Sequence, residues 1–182
     1  MLKTADNPPI IYPAVESLED ISGRWWVAHT KARNEKAFAW NLQRMSIPYF
    51  LPMREKLTLR RGKKYRSLLP LFSGYVFFNG DEEERYKSLT TNRLSQVIEV
   101  VDQAGFLDEL SQIQQALARK AQLDPHPYLK TGKRCRVITG ALAGMEGILL
   151  RKKKQTRLVL QVEILGQAAA VEIDGDLLEP IN

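Results

Sequence analysis

Apolar residues recur along the chain with two different periods, and the change of period divides it. Trp25-Trp26-Val27-Ala28-His29-Thr30 predicts a first strand. Phe38, Leu42 and Met45 follow at i, i+4 and i+7, one apolar stripe on a helix that Asn34 can cap and Pro48 ends. Residues 49–59 predict a strand, with Pro52 marking an edge or a bulge. Arg60-Arg61-Gly62-Lys63-Lys64 predicts a hairpin tip with glycine in the turn, and the return strand starts at Tyr65. Residues 68–78 (Leu-Leu-Pro-Leu-Phe-Ser-Gly-Tyr-Val-Phe-Phe) are apolar on both faces. Asn79-Gly80-Asp81 predicts a turn, Glu82 to Leu89 a short acidic helix, and Val97 to Val101 another strand. Phe106, Leu110, Ile113 and Leu117 form a second helical stripe. The order β-α-β-β-β-α-β-α predicts an α+β fold, a sheet with helices on one face.

Beyond residue 131 the period becomes 2. Leu158, Leu160, Val162 and Ile164 alternate with Val159, Gln161, Glu163 and Leu165, and Ala169, Val171 and Ile173 do the same. Glycines 140, 144, 147, 166 and 175 punctuate the short strands. This predicts a small all-β barrel. Glycine inside a helix costs about 1 kcal/mol relative to alanine, so strands are favoured over a helical hairpin here. Four segments follow: a loose, proline-bearing leader at 1–22, a first domain at 23–120, a linker at 121–131 carrying Pro125 and Pro127, and a second domain at 132–182.

Composition narrows the chemistry. The single cysteine, Cys135, excludes a disulfide framework and a cysteine-cluster zinc site. Alternation with Arg134 and Arg136 turns Cys135 toward the core, as a small hydrophobe. Only His29 and His126 are available as imidazoles. There is no glycine-rich phosphate loop, metal-ligand spacing or nucleophile triad, so the expectation is no catalytic residue, no metal and no cofactor. No apolar run reaches membrane-spanning length and Met1 to Asp6 lacks an apolar signal region, so a cytoplasmic, non-membrane monomer is expected.

The net charge of +6 is unevenly placed. Residues 24–66 hold twelve Lys and Arg against two acids. Such a concentration is the footprint of a polyanion partner, most often nucleic acid, ahead of the alternative of a solvated basic hairpin. A second basic run, Arg151-Lys152-Lys153-Lys154 before Arg157, fits either RNA and ribosomal surface or an edge-protecting turn.

Several segments together resemble the NusG family of transcription elongation factors. Arg24-Trp25-Trp26-Val27 looks like the opening of that family's N-terminal domain. Leu71-Phe72-Ser73-Gly74-Tyr75-Val76-Phe77 resembles its Phe-Pro-Gly-Tyr-Val segment, with Ser73 in place of the usual proline. Gly132-Lys133-Arg134-Cys135-Arg136-Val137 with Gly140 to Gly147 is similar to its KOW motif, and Val162 to Gly166 with Val171 to Ile173 to the rest of that SH3-like barrel. The compact basic hairpin is similar to that of the specialised, RfaH-like antiterminators.

The resemblance implies an operon-specific factor promoting antipausing or antitermination. A general elongation factor and a ribosome-associated KOW protein are the alternatives. It implies contact with the clamp helices of RNA polymerase through Trp25, Phe72, Gly74 and Tyr75. Alternation independently predicts either an exposed apolar patch, since a sheet with helices on one side buries one face, or a run that is covered or core on both faces. The nontemplate DNA strand is expected beside Lys31, Arg33 and Lys36 at the helix start, or these cations form a solvated helix end. The hairpin cations Arg60, Arg61, Lys63 and Lys64 are expected on nucleic-acid backbone. Leu165, beside Gly166, is expected exposed, matching the position where general factors use Phe to contact ribosomal protein S10 or the terminator Rho. Tyr86, Lys87 and Ser88 fall roughly where RfaH-like proteins touch polymerase, or form an ordinary surface turn.

Overall fold

Trp25–Thr30 becomes β2, a strand in the interior of a five-stranded antiparallel sheet ordered β1-β3-β6-β2-β7. Its partners are β1 (Ile11–Tyr12), β3 (Tyr49–Phe50), β6 (Tyr75–Asn79) and β7 (Leu94–Glu99). The computed structural model describes residues 6–182, and they divide into two compact units at Gln103/Ala104.

In the first unit the register sets the two sheet faces. Trp26 opposes Phe78 and Ala28 opposes Val76. These four join Phe38, Ala39 and Leu42 from α1 (Glu35–Arg44) in one buried cluster. The opposite face carries Val27 against Phe77 and His29 against Tyr75. Phe77 packs on Phe50 at 6.2 Å and edge-on to Phe72 at 6.3 Å. Both faces of β6 are therefore filled: Val76, Phe77 and Phe78 are each 0% exposed. The acidic helix α2 (Glu82–Thr90) starts with a capping box between Asp81 and Glu84, and the hydrogen bond between the two side chains lowers the Asp81 carboxyl below its ordinary value.

The leader differs from expectation. Over its described part it is built into the sheet rather than loose. β1 pairs with β3, Leu51 N donates to Ile10 O at 2.7 Å, and the Tyr49 hydroxyl donates to Pro9 O at 2.8 Å. Leu18 is fully buried in a short 3-10 turn capped by Ser17. The strand predicted over 49–59 is divided into β3 and β4 (Met53–Arg60) by Leu51-Pro52. β4 pairs with β5 (Lys63–Pro70) as a separate two-stranded hairpin. Arg61 and Gly62 form its two-residue turn, with φ of 49° and 75°, the left-handed pair that suits the twist of a hairpin.

The second unit pairs strands in the order β13-β9-β10-β11-β12-β8, all antiparallel. The strands are β8 (Asp124–Pro127), β9 (Arg134–Val137), β10 (Glu146–Lys152), β11 (Gln155–Val162), β12 (Gln167–Glu172) and β13 (Leu178–Pro180). No pairing joins β13 to β8, so the small barrel predicted from sequence is here a sheet with two edges. β11 is buried on both faces: Leu158, Leu160 and Val162 on one, Val159 with Ala168 and Ala170 on the other. The predicted linker differs too, because β8 lies inside it and pairs with β12.

Helix α3 (Gln103–Ala118) begins at the unit boundary and groups with this sheet, ahead of the boundary expected at residue 120. Polar bonds join it to residues of that unit. Glu109 accepts from Glu163 N at 3.2 Å, Gln112 from Glu146 N at 3.2 Å, and Arg119 donates to Ala143 O at 3.0 Å. Among the described residues no helix is long and apolar enough to cross a membrane.

Candidate functional site

The segment Phe72–Tyr75 is a tight turn feeding β6, with Tyr75 N donating to Phe72 O at 3.1 Å. Gly74 sits at φ 86°, a conformation that favours glycine. Both its backbone groups are held. Its N–H donates to Glu35 Oε1 at 2.8 Å, and its carbonyl accepts from Thr30 N at 2.8 Å. Glu35, the first residue of α1, is 6% exposed. The turn is thus pinned to both β2 and α1, and it presents Tyr75 at the open end of a sheet face. There the Tyr75 ring stacks on His29 at 4.9 Å, with 16° between planes, and both side chains are half-buried.

This corrects the expected apolar patch. Phe72 is 1% and Trp25 2% exposed, so neither presents its ring. Trp25 is further fixed by Gln103, which accepts from its N–H at 2.8 Å and donates to its carbonyl at 2.9 Å. Truncating a buried Phe costs about 3–5 kcal/mol, so Phe72→Ala is a core defect rather than a clean contact variant. The accessible part of the expected set is Tyr75 beside Gly74.

A family model described as transcription termination factor nusG matches residues 23–122, more than half of the chain. The chain belongs to the NusG family. Members of that family are transcription factors. The matched span contains the Trp25–Thr30 strand, the Phe72–Tyr75 turn and the basic hairpin. No curated protein matches the chain. A solved structure described as "Crystal Structure of MjSpt4:Spt5 complex conformation B" overlaps 87% of this chain and 97% of its own. Its identity is 11% and its TM-score 0.25, a likeness too weak to bear on fold or partners.

The cations expected at the start of α1 do not form a free cluster in this NusG-family chain. Lys31 Nζ donates to the Asn92 carbonyl and to Asn92 Oδ1, both at 2.9 Å. Lys36 Nζ donates to Leu68 O at 2.6 Å, and burial pushes its ammonium below the ordinary lysine value. Arg33 is exposed and in the left-handed region at φ 61°. Two of the three side chains are thus already engaged within the unit. Asn34 caps α1 without a side-chain bond to the helix; its Oδ1 accepts from Arg93 at 3.0 Å instead.

The hairpin keeps its cations outward. Arg60, Arg61, Lys63 and Lys64 are exposed, and no ion pair engages them among the described residues. In the second unit Leu165 lies in a 3-10 turn, Glu163–Leu165, closed by Gly166 at φ 60°. The strand alternation stops at Val162, so Leu165 is half-buried rather than fully exposed; Gly166 is exposed. Cys135 is buried at 2%, while its neighbours Arg134 and Arg136 pair with Glu146 at 3.3 and 2.6 Å. That carboxylate raises the Arg136 guanidinium above its ordinary value.

Asp81, Glu83 and Glu84 bring carboxylate oxygens within 4.8 Å of one another. Asp81 and Glu84 form the α2 cap, and Glu83 pairs with Lys87 at 3.0 Å. Tyr86 is 68% exposed on the same helix, whereas Ser88 is fully buried. Two residues escaped sequence reasoning. His29 reads as a structural strand residue until pairing sets it against Tyr75. Glu35 reads as an ordinary first-turn acid, because its partner is 39 residues away.

Proposed function

We propose that this chain is a transcription elongation factor that binds RNA polymerase through its first unit and promotes antipausing and antitermination. It acts as a specialised, RfaH-like member of its family on a few long operons, as a cytoplasmic monomer. The family match across residues 23–122 carries the reading. The contact is the Tyr75–His29 stack beside Gly74, while Phe72 and Trp25 are buried in the core of the unit. Aromatic anchors of this kind each cost about 2 kcal/mol or more when truncated in an interface core. The hairpin cations Arg60, Arg61, Lys63 and Lys64 lie along nucleic-acid backbone near the transcription bubble and give salt-dependent affinity. The second unit serves as the KOW-type domain, recruiting a further partner such as ribosomal protein S10 through the Leu165–Gly166 turn.

Affinity capture of the tagged chain from its own cells tests the polymerase contact. The expected result is retention of polymerase subunits by the parent and their loss from Tyr75→Ala. Ribosomal particles without polymerase, or full retention by Tyr75→Ala, would overturn it. Mapping the chain along the genome separates a few operons from general occupancy.

A further inference from the structure

The β4–β5 register sorts the hairpin side chains onto two faces of different chemistry. Directly opposed residues share a face, and the faces alternate along each strand. One face carries the pairs Lys56:Ser67, Thr58:Tyr65 and Arg60:Lys63. The other carries Glu55:Leu68, Leu57:Arg66 and Leu59:Lys64. The hairpin's only acid, Glu55, therefore sits on the second face, with the apolar Leu57 and Leu59. These three pairs supply three cations, two hydroxyls and one aromatic ring, and Arg54:Leu69 continues the same face toward the base. Tyr65 is 40% exposed there, with Lys63 and Ser67 on either side along its own strand.

Edge protection explains cations along an unpaired hairpin, but it gives no reason for an exposed tyrosine among them. Successive pairs on one face stand about 7 Å apart. Tyr65 thus has a cationic pair, Arg60:Lys63, one step toward the tip and Lys56 one step toward the base. An aromatic ring flanked by positive side chains can stack a base while the cations hold the phosphates on either side. Paired bases inside a duplex offer no free face to such a ring, so the arrangement discriminates by strandedness.

We infer that the Tyr65 face of this hairpin is a stacking platform for single-stranded DNA. This rests on the nucleic-acid role proposed above for the hairpin, and narrows it. Recognition is tolerant of sequence, because every base has a stacking face, and both strands of the hairpin contribute to it.

The test uses the full chain and three labelled fifteen-nucleotide probes: a single-stranded DNA, its duplex and the matching RNA. Fluorescence anisotropy is read across a salt series. The expected result is tighter binding to the single strand than to the duplex. Tyr65→Ala weakens that binding about five-fold or more with the salt slope unchanged, and Tyr65→Phe restores it. Changing Arg60, Arg61, Lys63 and Lys64 together to Ser flattens the salt slope for all probes. If Tyr65→Ala binds like the parent while the Ser variant still loses its slope, the stacking platform is overturned and the phosphate role stands. If neither variant changes binding, the hairpin's nucleic-acid role fails as well. A duplex or RNA preference of ten-fold over single-stranded DNA also overturns the inference.

Discussion

Replacing Glu35 by Ala should release the Phe72–Tyr75 turn. The Glu35 carboxylate is 6% exposed and accepts the Gly74 N–H at 2.8 Å. Removing it leaves a part-buried donor without its acceptor. Hydrogen bonds to charged groups contribute about 1.5–3 kcal/mol, equivalent to roughly 10- to 150-fold in a local opening equilibrium. Hydrogen exchange measured amide by amide reads that equilibrium directly. In Glu35→Ala the Gly74 amide should exchange faster by that factor, while the Val27 amide in β2 changes little. Glu35→Gln keeps an acceptor of the same reach but not the charge, which leaves about half the effect. Polymerase retention should fall in the same order, since Tyr75 follows Gly74 directly. Unchanged protection of Gly74 in Glu35→Ala would refute the claim that this carboxylate holds the turn.

Two further outcomes are expected. Burial raises the Tyr49 phenol above its ordinary value, with Tyr12 adding to the shift. A raised folded-state value means that its contribution is full at neutral pH and declines as pH climbs through the unfolded value near 10. Tyr49→Phe should lose about 1 kcal/mol at pH 7, through the bond to Pro9 O, and decline less steeply above pH 10. Urea unfolding followed by tryptophan fluorescence reports the first unit alone, because Trp25, Trp26 and Trp40 all lie there; an identical alkaline slope in both proteins would count against this. Leu165→Phe should strengthen S10 binding several-fold by titration calorimetry with the full chain, because a ring enlarges the apolar contact of the half-buried turn. Equal affinity would remove Leu165 from the contact.

Local pattern located the elements whose causes are local. The β2 strand, the α1 stripe of Phe38 and Leu42, and the Arg61-Gly62 turn all follow from spacing and turn chemistry. The misses have non-local causes. Nothing in Pro8-Pro9-Ile10 announces that Tyr49, forty residues later, supplies its partner. Leu165 follows a strand-like pattern in sequence, yet the chain leaves the strand at Val162 and turns through Gly166. Lys36 reads as a free cation because its acceptor, Leu68 O, belongs to β5, 32 residues further along the chain. The polar bonds that group α3 with the second sheet likewise join residues 24 to 54 positions apart.

The Phe72–Phe77 segment divides into a buried part and an accessible part. Alternation puts Tyr75 and Phe77 on one face, but the face is not uniform along its length. Phe77 lies between Phe50 and Phe72 in closed packing, and two residues earlier the same face ends in the open at Tyr75. Phe72 precedes the strand and reaches Phe77 edge-on, so it fixes the floor of the turn. Glu35 and Thr30 fix its backbone through Gly74. Of these rings only Tyr75 and the His29 stacked on it are left accessible. A motif read from sequence mixes residues that touch a partner with residues that hold those in place, and burial is what separates them. Loss of binding on changing Phe72 would therefore not identify Phe72 as a contact. Only a substitution at Tyr75 or His29, which leaves the floor intact, distinguishes recognition from support.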